Sequence, residues 1–136
     1  IYWGIWAAYR TYDYAVPREM LVHDLEHGAI VMRYDCETDC PDVVAAFEGV
    51  AEDFGVDPLC LATSNGAERS RIIITPDPLL DEPIGLSAWR ATYTATCIDP
   101  PSLLAFVEEH YAKAPENLCA EGKDPMDPTT GVPDCE

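Results

Sequence analysis

The chain has 136 residues, enough for one domain, and 48% of them are hydrophobic, enough for a buried core. Asp and Glu outnumber Lys and Arg by 25 to 8, and the net charge of −17 argues against nucleic acids and anionic membranes as partners. No apolar run reaches the length of a transmembrane helix. The amino terminus has neither a starting methionine nor the basic leader of a signal peptide, so we expect a processed chain or a trimmed piece of a longer protein.

The first half of the chain predicts two helices that flank one strand. Pro17 suits the first turn of a helix and a glycine ends it, which places this helix at about 17–27. The apolar run at 29–34 predicts a short buried strand. Pro41 begins a second helix, PDVVAAFEGVAEDF, whose apolar residues recur at helical spacing. A long connection follows at 55–70.

The second half predicts two strands and one helix. RIIITP, at 71–76, and the β-branched and aromatic stretch at 84–96 are typical of strands. PPSLLAFVEEHYAKA predicts the last helix. The element order helix, strand, helix, strand, strand, helix predicts a disulfide-stapled α+β domain at 1–114, with a mixed sheet and about three helices. An irregular, acidic, proline-rich tail, pinned by a disulfide, is expected at 115–136.

Six cysteines in so short a chain favour disulfides over a thiolate metal site, because no C-x-x-C pair is present. Disulfides imply an oxidising compartment, so we expect a secreted, periplasmic or cell-surface protein. Six cysteines allow fifteen pairings. The pairs that we predict are Cys36 with Cys40, Cys60 with Cys97, and Cys119 with Cys135.

His23 and His27 are two of the chain's three histidines and are separated by about one helical turn. At 100° per residue their side chains leave the helix about 40° apart, whereas Leu21 and Leu25 project almost opposite. With the leucines in the core, the histidines face solvent or a cleft. Histidines at this spacing can chelate one ion, and neutral imidazole suits zinc, copper, iron or nickel. We predict a zinc or copper site at His23, His27 and Glu26.

The segment HDLEH also matches H-x-x-E-H, a zinc-protease motif in which the glutamate activates a water molecule. Under this hypothesis Glu26 is the general base, and a distant side chain supplies the third ligand. Glu108, Glu109 and His110 are candidates by residue type alone. A third interpretation needs no metal, because both histidines can hydrogen-bond to the backbone or to acidic side chains.

Three motifs in order resemble a bacterial family, domain of unknown function 3105. They are LVHDLEHG before an apolar strand, the CP pair of DCPDVVAAF, and PDPLLDEPIGLSAW, and the resemblance spans roughly residues 4–112. It implies an exported or membrane-anchored protein and no particular reaction. Family members tend to carry S-G-P-H upstream, which this chain lacks. If that histidine is a third ligand, the chain has lost it, or a missing upstream segment or protein partner supplies it.

These observations favour an exported domain that binds a transition metal through its histidine helix. The alternative is a metal-independent interaction module that recognises a protein partner through its aromatic amino-terminal segment and acidic surface. A lesser alternative is a zinc-dependent hydrolase. The sequence does not decide whether the protein is an enzyme.

Overall fold

The architecture was obtained as a computed structural model, which describes residues 6–36, 40–64, 68–119 and 122–125. The predicted α+β class with a mixed sheet is confirmed. The helices and strands are α1 (Arg18–Glu26), β1 (Ile30–Tyr34), α2 (Pro41–Phe54), α3 (Pro58–Ser64), β2 (Ile72–Pro76), β3 (Ile84–Ala88), β4 (Ala91–Ala95) and α4 (Pro100–His110).

The four strands form one sheet in the order β2-β1-β3-β4. β1 runs parallel to β2 and antiparallel to β3, and β3 pairs antiparallel with β4. Met32 of β1 therefore lies between Ile74 of β2 and Leu86 of β3. All three side chains are almost fully buried, which makes β1 the centre of the fold.

Each face of the sheet has its own hydrophobic core, because successive strand residues point to opposite sides. Ile30 and Met32 face one core, and Val31 between them faces the other. The first core is closed by residues of α2 and α4: Phe47, Val50, Leu103, Phe106 and Val107. The second is closed by the amino-terminal segment and α1: Ala7, Tyr9, Tyr12, Val16, Met20 and Leu21. The histidine helix therefore belongs to the second core.

Two elements differ from the sequence-based prediction. The expected strand at 84–96 is a hairpin, β3 and β4, with Trp89 and Arg90 in its turn. Arg90 adopts a left-handed conformation, with a φ of 64°. Glycine or asparagine at this position would have indicated a turn, whereas arginine does not. The connection at 55–70 contains the short helix α3, which begins at Pro58.

The disulfides correct two of the three predicted pairs. Cys36 is bonded to Cys40, as predicted. Cys60 is bonded to Cys119 instead of Cys97. Cys97 follows the edge strand β4, is exposed, and has no disulfide partner in the described part of the chain. The prediction failed because Cys60 belongs to the core on the α1 side, where the chain returns after α4. The predicted partner of Cys119, Cys135, lies outside the described residues.

The two disulfides agree with a protein that matures outside the reducing cytosol. Within the described ranges, no helix combines the length and apolar character that a membrane span requires.

Candidate metal centre

Three potential metal ligands converge where α1 meets the segment that follows α4. His23 belongs to α1, His27 caps the carboxyl end of α1, and Glu116 comes from residues 112–119, which we call the strap. One ligand atom from each of these side chains lies within 4.8 Å of the other two. The closest pair is His27 Nε2 and Glu116 Oε1, at 3.0 Å. This set of two imidazoles and one carboxylate is the candidate metal centre.

The helical spacing brings the two imidazoles together, as the sequence predicts. Their ring centroids are 4.5 Å apart, with an interplanar angle of 67°. His23 lies in the last turn of α1, which is only nine residues long, and His27 is the residue that caps its carboxyl end. The helix thus presents a pair of rings converging on one point.

The expectation that the histidines face away from the core is wrong. His23 is 8% exposed and His27 is 1% exposed, whereas Val22 on the same helix is 51% exposed. Leu21 is also buried, because α1 is covered on more than one side. The amino-terminal segment and the strap provide this cover, and the sequence pattern of α1 alone does not reveal either.

The strap approaches α1 through backbone hydrogen bonds to the carbonyls at its carboxyl end. These carbonyls have no partner within the helix and must be satisfied elsewhere. The amide of Ala112 donates to Gly28 O at 2.9 Å, and the amide of Glu116 donates to Glu26 O at 3.0 Å. The amide of Leu118 also reaches His27 O, at 3.4 Å. Capping of the helix end therefore delivers the Glu116 carboxylate to the histidines.

Gly28 permits this close approach of the strap. Its φ is +96°, a conformation that L side chains rarely adopt. A Cβ at this position would lie 2.7 Å from Cα of Ala112. The glycine that follows the histidine pair therefore ends the helix and also leaves room for the strap.

The disulfide fixes the far end of the strap. Cys119, three residues after Glu116, is bonded to Cys60 of α3, and both cysteines are buried. The exposed carboxylate of Glu116 is thereby attached to a segment that is held at both ends.

Trp6 packs against both imidazoles. Its ring centroid lies 5.0 Å from that of His23 and 4.6 Å from that of His27, in edge-to-face arrangements. The fully buried Asp24 of α1 accepts a hydrogen bond at 3.2 Å from the backbone amide of Ala7, next to Trp6. Burial raises the pKa of Asp24 well above its ordinary value, and Ala7 opposes this shift. Asp24 thus ties the aromatic segment to the histidine helix.

The surroundings of His27 disfavour its protonated form. Burial, assisted by the neighbouring His23, lowers the pKa of His27, although Glu116 and Glu26 act in the opposite direction. A neutral imidazole is the form that binds metal ions. Nδ1 of His27 is buried and has no hydrogen-bond partner in the described ranges. Protonation of the ring is therefore disfavoured, and one of its nitrogens lacks a hydrogen-bond partner among the described residues.

The remaining predicted ligands lie elsewhere. Glu26 is half-buried and contributes its backbone carbonyl to the strap, and its carboxylate is not part of the cluster found among the described residues. Glu109 and His110 of α4 lie beside each other, 3.9 Å apart, and His110 stacks on Phe106. Glu108 is not in the cluster either.

Glu116 was missed by the sequence analysis because it lies far along the chain from the histidines, in a segment without periodicity. Nothing in PENLC distinguishes its glutamate from the other acidic residues of this chain. The fold identifies it, because the hydrogen bonds of the strap to α1 bring its carboxylate to His27.

The family model described as "Protein of unknown function (DUF3105)" matches residues 1–122, so the chain belongs to this family, as its motifs suggest. No curated protein and no solved structure matches the chain. The match covers both histidines and Glu116.

Proposed function

We propose that this DUF3105 domain binds a divalent transition metal ion, zinc foremost, through His23, His27 and Glu116. The single observation that carries the proposal is the convergence of three ligand atoms within 4.8 Å of one another. Two of the three belong to almost completely buried imidazoles, which are held by one helix.

The spacing of the ligand atoms supports the proposal. Tetrahedral zinc with bonds of about 2.0–2.1 Å places its ligand atoms about 3.3 Å apart. His27 Nε2 and Glu116 Oε1 are 3.0 Å apart, close to this value. Drawing His23 into the same coordination sphere requires side-chain adjustment and no change of fold.

The donor atoms favour zinc or copper. Imidazole nitrogen and carboxylate oxygen suit zinc, and copper(II) binds such donors more tightly than zinc does when both ions are available. Three protein ligands leave a fourth position for water or a small anion. Together with the disulfides, this donor set supports a metal-handling or metal-stabilised domain that is secreted, periplasmic or at the cell surface.

Direct titration tests the proposal. Protein without a polyhistidine tag, purified without chelators, is titrated calorimetrically with zinc and with copper(II). We expect one equivalent to bind, and His23→Ala, His27→Ala and Glu116→Ala to weaken binding at least tenfold. His110→Ala and Glu109→Ala are matched controls on α4 and should bind as the unaltered protein does.

The same titration can reject the proposal. If the unaltered protein binds neither ion, the three side chains only fasten the strap to α1. The metal-independent interaction module is then the better hypothesis. Equal effects of the site variants and their α4 controls would also reject this site.

The ligand set favours a second function, zinc-dependent hydrolysis. Two histidines and one glutamate hold zinc in several hydrolases, where the fourth position carries the reactive water. In this chain Glu26, next to His27, would be the general base. Glu26→Gln should then abolish the turnover of chromogenic esters or peptides while zinc affinity is kept. Retained turnover would exclude this role.

A further inference from the structure

We infer that Asn117 and Arg71 are positioning residues of the metal centre. The inference rests on the metal binding proposed above and identifies side chains that, together with the backbone hydrogen bonds of the strap, hold the Glu116 carboxylate beside His27. Neither side chain belongs to the ligand cluster, so both would act through the ligands.

The geometry connects the two sides of the centre through one nitrogen atom. Nη1 of Arg71 donates to His27 O at 2.8 Å and to Asn117 Oδ1 at 2.8 Å. The first acceptor belongs to the backbone of one ligand, and the second to the neighbour of another. A single guanidinium group therefore bridges His27 and the strap, in addition to the backbone hydrogen bonds that the strap makes at the end of α1.

This guanidinium is itself held in place. Arg71 is 2% exposed, its Nη2 donates to Asp57 Oδ2 at 2.9 Å, and its Nε donates to Tyr111 Oη at 3.2 Å. An arginine side chain stays charged at every relevant pH and presents its donors in a rigid plane. Arg71 is thus rigidly held, and its hydrogen bond to Asn117 restrains the position of the strap.

The carboxylate of Glu116 depends on such a restraint more than the two imidazoles do. His23 and His27 are positioned by a helix, whereas Glu116 is 56% exposed and lies in an irregular segment. An unrestrained glutamate loses rotational freedom when it binds an ion, which weakens binding. Asn117 restrains the strap at the next residue. Outer partners of this kind typically change metal affinity 10–100-fold.

The test uses Asn117 because it is exposed, so its replacement leaves the cores intact. Zinc dissociation constants are measured by competition with a chromophoric chelator, and the stability of the metal-free protein by thermal unfolding. We expect Asn117→Ala to bind zinc about tenfold more weakly, with only a small fall in unfolding temperature, because water can replace the exposed amide as the acceptor for Arg71. Asn117→Asp keeps an acceptor for Arg71 and should restore the affinity. Lys113→Ala, an exposed change elsewhere in the strap, is the control.

A double-mutant cycle separates positioning from a general structural effect. Asn117→Ala should weaken zinc binding when Glu116 is present and have no further effect beside Glu116→Ala. An equal effect in both backgrounds, or unchanged affinity in the single variant, would overturn the inference while leaving the metal proposal intact. Failure of the unaltered protein to bind zinc would instead overturn the metal proposal.

Discussion

Asp57 illustrates how a partly buried polar residue is stabilised in this protein. Burial alone would raise the pKa of its carboxyl group, but hydrogen bonds from Tyr111, Arg71 and the backbone amide of Leu59 outweigh burial and lower it. The phenol of Tyr111 donates to Asp57 Oδ2 at 2.6 Å. Burial and this bond raise the pKa of Tyr111 to about 12. The carboxylate is therefore charged, and the phenol neutral, near neutral pH.

The lowered pKa of Asp57 predicts a pH-dependent contribution to stability. Because the folded-state pKa lies below the unfolded value, the carboxylate stabilises the fold above the unfolded value, and this contribution is lost as the pH falls through the folded value. Asp57→Asn should lower the free energy of unfolding by about 3 kcal/mol at pH 7, since Arg71 loses its buried partner. The difference should shrink below about pH 4. Urea unfolding measured between pH 7 and pH 2.5 checks this, and a difference independent of pH would contradict it.

For single residues, the sequence predicts only those contacts that follow from the spacing of residues along one helix or strand. The convergence of His23 and His27 follows from the helical repeat, without knowledge of the fold. The contributions of Glu116 and Arg71 depend on contacts between segments far apart in the chain, and no local pattern marks either residue. For the same reason Glu26, chosen for its nearness in sequence, is not in the cluster found within the described part of the chain.

The carboxyl end of α1 and the strap act as one structural unit. Backbone amides of the strap occupy the carbonyls that the helix leaves unsatisfied, and Gly28 gives them access. Pro17 and Gly28 predict the ends of α1, and apolar residues at helical spacing predict α2 and α4, which pack against the first core. The sequence does not predict the strap, which has no periodicity of its own.

Gly28→Ala should separate the strap from α1. An alanine at a φ of +96° is strained, and its Cβ would lie 2.7 Å from Ala112 Cα. We expect a loss of about 2 kcal/mol or more in the free energy of unfolding, together with weaker zinc binding. Gly49→Ala in α2 is the control, because its Cβ would meet no atom within 4 Å. That change should raise stability by up to about 1 kcal/mol, as alanine favours helix. If the two substitutions had similar effects, the proposed role of Gly28 would be wrong.

For the molecule as a whole, the disulfide between Cys60 and Cys119 links α3 to the strap across 59 positions. The α+β class follows from the order of periodic elements, but the pairing of cysteines does not, because it depends on where the chain returns after α4. The expected separation of a domain at 1–114 from a tail stays a prediction. The strap crosses that proposed boundary while bonded to α1 and α3.

Removing this disulfide should destabilise the protein and weaken the metal centre together. A closed loop of this length lowers the conformational entropy of the unfolded chain, which destabilises the unfolded state by about 4 kcal/mol. The double variant Cys60→Ser, Cys119→Ser should therefore lower the free energy of unfolding by roughly that amount. Zinc affinity should fall as well, because Glu116 loses its nearby anchor. Replacing Cys36 and Cys40 is the comparison: their short loop predicts a smaller loss of about 2 kcal/mol and unchanged zinc affinity. Unfolding in guanidinium chloride measures the stability of both double variants, and competition with a chelator measures their zinc affinity.

The distribution of the ligands along the chain has a consequence for the order of events during biosynthesis. A ribosome makes His23 and His27 early, whereas Glu116 and its anchor at Cys119 follow about ninety residues later. If the domain binds a metal ion as proposed, a nascent chain can therefore offer that ion only its two histidines. Binding through all three proposed ligands would then require that the second half of the domain has been made and that Cys119 has paired with Cys60.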